Sequence, residues 1–304
     1  MQSIIECVPN FSEGRSHEII RALAQSIRDI SGVFLLDQHM DADHHRSVLT
    51  FAGSPEAVGK AAFAVVKTAS ALIRLPAHSG EHPRIGATDV LPFVPLRGAT
   101  MEQCVQLAKT VGAHIGEELK IPVFLYEEAG SVILRKRLEV IRRGGLEALG
   151  DRMKNAPGWL PDYGPHTLHP TAGAIVVGAR HPLIAYNVIL NSNDISVARG
   201  IAKTIRTSGG GLPCLKALGF NLASRGHVQV SMNLTNFRET PLHVAFEAVK
   251  REAEKRGVSI LGSELVGLVP QEAVTQVAAQ SLQFKSLTPD QVIETRLLNT
   301  MGEG

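Results

Sequence analysis

The chain has 304 residues, 44% of them hydrophobic and 20% charged, with 31 Lys and Arg against 29 Asp and Glu. That near-neutral balance argues against a nucleic-acid partner held by a basic surface, and the length implies one large or two modest domains. The opening Met1-Gln-Ser-Ile-Ile-Glu-Cys7 lacks a basic segment ahead of an apolar stretch, and no apolar run reaches the width of a bilayer, so the reading is a cytoplasmic protein without membrane contact.

Ser3 to Val8 reads as a buried strand, and Ser16 as the N-cap of an amphipathic helix running to about Ile30. Val33–Leu36 and Arg46–Ala52 follow as strands. Ser54-Pro55-Glu56 then opens a helix to about Ile73. Val90–Leu96 closes the set as a fourth strand, and its prolines, Pro92 and Pro95, suit an edge position. The order β-α-β-β-α-β is that of the ferredoxin-like unit, an antiparallel sheet with both helices on one face.

Thr100 with Gln103 resembles a capping box for a helix to Leu119; a short strand at Val123–Leu125 and charged helical sequence around Val132–Arg142 come next. Asn155 to Thr171 carries four prolines and the only Trp, which predicts a long ordered loop. A second β-α-β-β-α-β set follows: strand Leu183–Leu190, helix Asp194–Arg206 capped by Asn193, strands Leu215–Asn221 and His227–Asn233, helix Pro241–Lys255 capped by Thr240, and strand Ser259–Leu261. Helices at Pro270–Gln280 and Pro289–Met301 close the chain. The fold class is therefore α/β, an α+β sandwich of two ferredoxin-like subdomains, residues 1–180 and 181–304, with sheets flanking a ligand groove.

Cys7, Cys104 and Cys214 form neither a disulfide framework nor a cysteine zinc site, and each is expected as a small core residue. The composition most expensive for a mere connection is His78-Ser-Gly-Glu-His-Pro-Arg-Ile-Gly-Ala-Thr-Asp89. It offers imidazole for proton transfer near neutral pH and Arg84 for an anionic group, although polar surface loops share this chemistry. His78 and His82 stand four apart, but Pro76, Gly80 and Pro83 argue against the helix that would aim both at a metal. Asp37 to Arg46 is placed at a turn that gathers Asp41, Asp43, His44 and His45. Asp-His-His after a strand also marks one class of manganese-dependent phosphoesterases, yet Glu6 to Gly14 supplies none of the further aspartates that class needs. Ser208-Gly-Gly-Gly-Leu212 is no P-loop and reads first as a flexible linker. Ser263 and Glu264 are placed at the end of a strand, and Arg180 and His181 at the join between halves.

Cys7-Val-Pro-Asn-Phe-Ser-Glu-Gly14, Gly80-Glu-His-Pro-Arg84 with Gly86-Ala and Asp89, Pro161-Asp with Gly164-Pro165, and Val266-Gly-Leu-Val-Pro270 together resemble the glutamate formimidoyltransferase (formiminotransferase) family. The resemblance runs in one register over nearly the whole chain. It implies two α/β subdomains with a folate site in a positively lined groove between them, a homodimer, and transfer of a formimino group from N-formimino-L-glutamate to N5 of tetrahydrofolate, a step of histidine breakdown. By the same resemblance His82 is catalytic, tetrahydrofolate is a co-substrate, and the folate stretch falls on Gly164 to Gly173. In that stretch Gly164, Pro165, Pro170 and Gly173 match the family, while His166, Thr167 and His169 do not. Arg46 and Arg84 are candidates for substrate carboxylates, with Asp41 and Glu81 beside them. His39 to His45 departs from the animal enzymes, so His39, His44 and His45 carry no assigned roles, and His78 keeps none either.

The chain's end near residue 304 leads to the expectation of a monofunctional enzyme without the fused cyclodeaminase domain, and no metal is expected. Formyl transfer, or salvage of 5-formyltetrahydrofolate, stands as the alternative within the family. A metal-dependent hydrolase using Asp41, Asp43, His44 and His45, or a non-catalytic folate carrier, are the alternatives outside it.

Overall fold

Interrupted apolar alternation builds the centre of the first sheet. Strands β1 (Ile5–Cys7) and β2 (Asn10–Phe11) occupy one position, each antiparallel to both β4 (Arg46–Gly53) and β5 (Thr88–Pro95), with Val8-Pro9 between them. The computed structural model describes residues 3–42, 45–77, 84–222 and 226–301. It divides into two units, Met1–Arg180 and His181–Gly304.

In the first unit, β3 (Val33–Asp41) pairs with β4 on the side away from β1, giving the order β3, β4, β1 with β2, β5 of a ferredoxin-like sheet. Helices α1 (His17–Arg28) and α2 (Pro55–Leu72) start where Ser16 and Ser54 accept the N–H groups of Ile19 and Ala57. Helix α3 (Met101–Glu118) begins with the reciprocal Thr100 and Gln103 capping box. Together they cover one face, over a core of Ile5, Cys7, Phe11, Leu49, Phe51, Leu91 and Phe93.

The sheet continues past β5. Strand β7 (Ile175–Ala179) runs parallel to β5 and to β6 (Val123–Glu127), and lies between them. Strand β5 is therefore interior and almost wholly buried, not the edge its prolines suggested. Pro92 is tolerated because it faces Val8-Pro9, where the neighbouring position is itself broken, and the Val8 N–H still donates to the Pro92 carbonyl at 3.3 Å. Helices α4 (Leu138–Ile141) and α5 (Gly145–Asn155) cover the other face, burying Val90, Phe124, Tyr126, Ile141, Leu149, Met153, Trp159 and Val176. Neither α5 nor β7 was evident in the sequence pattern.

In the second unit, β8 (Ile184–Leu190), β9 (Leu215–Leu222), β10 (His227–Leu234) and β11 (Ile260–Val266) form an antiparallel sheet in the order β11, β8, β10, β9. Helices α6 (Ile195–Ile205), α7 (Leu242–Glu254) and α8 (Gln271–Ser281) pack on it over Val188, Ile201, Val230, Phe237 and Ala245, and α9 (Ile293–Met301) follows. Three local readings change. Asp194, not Asn193, caps α6 through the Ser196 N–H; Thr240 instead spends its hydroxyl on the Pro213 carbonyl; Ser263 and Glu264 lie inside β11. The glycine run after α6 is a structured stop rather than a linker, since the Gly211 and Leu212 N–H groups donate to the Arg206 and Ile205 carbonyls. Cys214 is only half-buried, with its Sγ 3.4 Å from Glu239, whereas Cys7 and Cys104 are core residues. Among the described residues, no helix is long and apolar enough to cross a membrane.

Candidate functional site

Three of the sequence motifs, far apart in the chain, are tied together at one end of the first sheet. Ser12, in the connection between β2 and α1, donates its N–H to the Ala87 carbonyl at 2.9 Å and its hydroxyl to the Gly86 carbonyl at 2.7 Å. From the other side, the Ala87 N–H donates to the Ala172 carbonyl at 2.9 Å and the Ala174 N–H to the Ile85 carbonyl at 2.8 Å. Residues 85–87 are thus held between the Cys7–Gly14 motif and the end of the Gly164–Gly173 stretch. Gly173, with φ at +70°, lies so close to this segment that a Cβ would stand 2.4 Å from the Ile85 carbonyl oxygen.

The loop between α5 and β7 is ordered by buried anchors. Asp162 accepts the Leu125 N–H and the Arg135 guanidinium, both at 2.7 Å, and Arg135 itself is 3% exposed. Trp159 is buried with the Arg152 guanidinium 4.1 Å above its ring. Within the stretch, His166, Thr167 and Pro170 are exposed, Pro165 is half-buried, and Gly164 runs against Gly116 of α3. His169 takes the Ala172 N–H on Nδ1 at 3.0 Å, which fixes a local turn, and burial lowers its pKa.

The turn between β3 and β4 forms a second wall. Strand β3 runs to Asp41, so Asp37 to Met40 belong to the strand and not to a turn. Gly14 packs against this turn; a Cβ there would sit 2.2 Å from the Asp41 carbonyl oxygen and 2.4 Å from the Arg46 nitrogen, which only glycine avoids. The Gly14 N–H donates to Nδ1 of His45 at 3.0 Å. Burial, with Arg15 and Arg84 nearby, holds His45 below its ordinary pKa against the pull of Glu13, so it is a neutral ring at physiological pH. Glu13 is raised by burial but brought below the usual carboxylate range by the N–H groups of Ser16 and Arg15 and by His45.

Arg46 bonds the Asn10 side chain, and the adjacent Arg142 bonds Asp89. Burial pushes Arg46 down to about 10, helped by the Arg142 charge and opposed by Asp89 and Asp41; it remains a cation at neutral pH. Asp89, 3% exposed, also accepts the Ile85 N–H at 2.7 Å. Beyond it lie Tyr126, raised to about 12 by burial, and Glu6, raised by burial and opposed by the Arg180 charge. Arg180 follows β7 and donates its N–H to the Phe93 carbonyl.

Of the sequence candidates, Arg46, Arg84, Asp41 and His45 therefore share one end of the first sheet with the Gly164–Gly173 stretch. His78, Glu81, His82, Asp43 and His44 lie outside the described residues. Among the described residues no group of three His, Cys, Asp or Glu side chains is placed to hold a metal ion, and Nδ1 of His45 is already engaged. Arg142, Asp89 and Tyr126 were not singled out as a group; Asp89 stood in a motif, but nothing local marks Arg142 as its partner.

The whole chain can be compared with known proteins. Residues 4–180 match the family model described as "Formiminotransferase domain, N-terminal subdomain", and residues 185–297 match "Formiminotransferase domain". The chain is 45% identical to a protein of Streptococcus pyogenes serotype M1 named glutamate formimidoyltransferase, covering 98% of this chain and 100% of that one. A protein of Thermoplasma acidophilum with the same name is 44% identical over 97% of each. Rat formimidoyltransferase-cyclodeaminase is 44% identical over 92% of this chain, which spans 52% of the rat protein.

Proposed function

This chain belongs to the formiminotransferase family, and we infer from that membership that it moves the formimino group of N-formimino-L-glutamate to N5 of tetrahydrofolate, with His82 as its acid–base residue. The products are 5-formiminotetrahydrofolate and L-glutamate, and folate is a co-substrate rather than a resident cofactor. The observation that carries the site assignment is the bonding of residues 85–87 to Ser12 on one side and to Ala172 and Ala174 on the other. Residues 85–87, which begin three positions after His82, are bonded to Ala172 and Ala174, the end of the stretch assigned here to folate.

The chemistry is an exchange of nitrogens on one carbon. N5 attacks the amidine carbon and loses its proton to the imidazole; the tetrahedral centre then expels the glutamate nitrogen, which receives that proton from the imidazolium. One imidazole reaching both nitrogens completes both transfers, and such acid–base assistance is worth about 100- to 10,000-fold. Holding the two substrates in register contributes at least as much in principle. Arg46 and Arg84 take carboxylates of formiminoglutamate or of the folate glutamyl tail through guanidinium forks, with Asp41 and Glu81 at the polar end of the same substrate. His166, Thr167, Pro165 and Pro170 offer side chains to folate, whereas Gly164 and Gly173 shape the backbone that carries them. No step requires a metal, and the working form is a cytoplasmic homodimer. The family resemblance supports the dimer.

The test mixes purified protein with tetrahydrofolate and formiminoglutamate and follows the folate product by absorbance after acid conversion to the methenyl form. Turnover that survives chelating agents is the expected result. No product would sink the assignment. Full activity in His82→Ala would remove the mechanism and leave the family membership standing. Light scattering of the eluted protein at one chain's mass would refute the dimer.

A further inference from the structure

We propose that Asp89 and Arg142 are a positioning couple for the segment that carries His82, acting through the backbone of Ile85. The proposal rests on the acid–base role given to His82 above. One oxygen of the Asp89 carboxylate accepts the Ile85 N–H at 2.7 Å and the other accepts the Arg142 guanidinium. The Ile85 carbonyl in turn receives the Ala174 N–H at 2.8 Å. The residue is therefore gripped on both sides, three positions downstream of His82, at most about 11 Å of extended chain away.

The cation is itself braced. Arg142 follows α4, and the carbonyls of Ile141 and Arg143 on either side of it both accept Arg152, each at 2.7 Å. Arg152 lies on the Trp159 ring at 4.1 Å. A continuous path thus runs from the buried Trp of the loop between α5 and β7, through Arg152 and Arg142, to Asp89 and the Ile85 N–H. Arg46, whose charge is opposed by Arg142 and favoured by Asp89, is a second cation near the carboxylate. A carboxylate with 3% exposure that joins a backbone N–H to a guanidinium would be a poor choice for bulk stability alone, since apolar side chains of similar size usually serve as well. Its directional bonds suit the fixing of a backbone, and catalysis is sensitive to such placement.

The experiment measures kcat and KM for Asp89→Asn in the wild-type and in the His82→Ala background, with active-site concentration fixed by tetrahydrofolate binding stoichiometry. In the wild-type background the variant should lose roughly 100-fold in kcat, as expected for about an ångström of misplacement. Both KM values should stay within about threefold of wild type. In the His82→Ala background the same substitution should cost nothing further. Arg142→Met should match Asp89→Asn, the pair together should be no worse than either alone, and Arg142→Lys should recover part of the rate. These Arg142 variants also carry the test if Asp89→Asn does not fold. An equal loss in both backgrounds would make the couple merely structural and overturn the proposal, as would wild-type kcat in Asp89→Asn. Full activity in His82→Ala alone is a different failure, because it removes the acid–base reading on which the couple is said to act.

Discussion

The two units share one strand order but differ in the connections at the same points of it. Between the first strand and the first helix, the first unit spends residues 8–16, with β2, Ser12 and Gly14 among them, whereas the second spends only 191–194. Before the last strand of the pattern, the first unit runs through 73–87 and the second through 255–259. The first unit also adds β6 and β7, and the loop leading into β7 closes on the lengthened segment. The second unit's short connections are occupied with capping, as Asp194 shows for α6. The frame is common to both, and the polar cluster of Arg46, Asp89, Arg142 and His45 sits where the first unit departs from it.

That contrast can be broken most directly by charge. Arg46→Met should reduce kcat/KM for formiminoglutamate by about 10- to 100-fold, the value of a charged hydrogen bond of roughly 1.5–3 kcal/mol. Arg238→Met in the second unit, whose exposed pair with Glu272 is worth about 0–1 kcal/mol, should leave that ratio near wild type. Equal losses measured by steady-state kinetics would erase the distinction.

Backbone strain gives the next effect. Gly173→Ala meets both a positive φ and the Ile85 carbonyl, so urea unfolding should show a loss of about 1–3 kcal/mol together with reduced turnover. If activity is untouched, the stretch proposed to bind folate is not shaping the site. Asp194→Ala, on a short connection of the second unit, should lower the urea midpoint by less than Gly173→Ala does, through the lost cap, and leave turnover unchanged.

The smallest effect is a pH dependence of stability. Burial lowers the pKa of both His45 and His169 in the folded protein, and each uses Nδ1 as an acceptor, so the unfolded chain binds protons first on acidification. Their contribution is complete above the unfolded value of about 6.5 and is lost as pH falls toward the folded values. Thermal unfolding should therefore shift downward between neutral and mildly acidic pH, with a shallower slope in His45→Gln and His169→Gln. An unchanged slope in both variants would show that these rings are not the groups responsible.

Local rules made much of this protein legible from its residues alone. Helix caps at Ser16, Ser54 and Thr100, the strands β4 and β10, and the doubled β-α-β-β-α-β order all depend on neighbours a few positions apart, where propensity and hydrophobic period act directly. Motifs in one register were enough to point to the family and to the segment around Arg84. Tertiary structure alone decided the rest. Strand β7 inserts between β5 and β6, so Pro92 lies in the interior of a sheet because its partner strand happens to be broken opposite it. The pairing of Asp89 with Arg142 joins residues 53 positions apart. Nothing in the short-range pattern encodes such a meeting, because an ion pair between distant residues depends on sheet order, on which face each helix covers, and on the burial that makes a directional bond valuable.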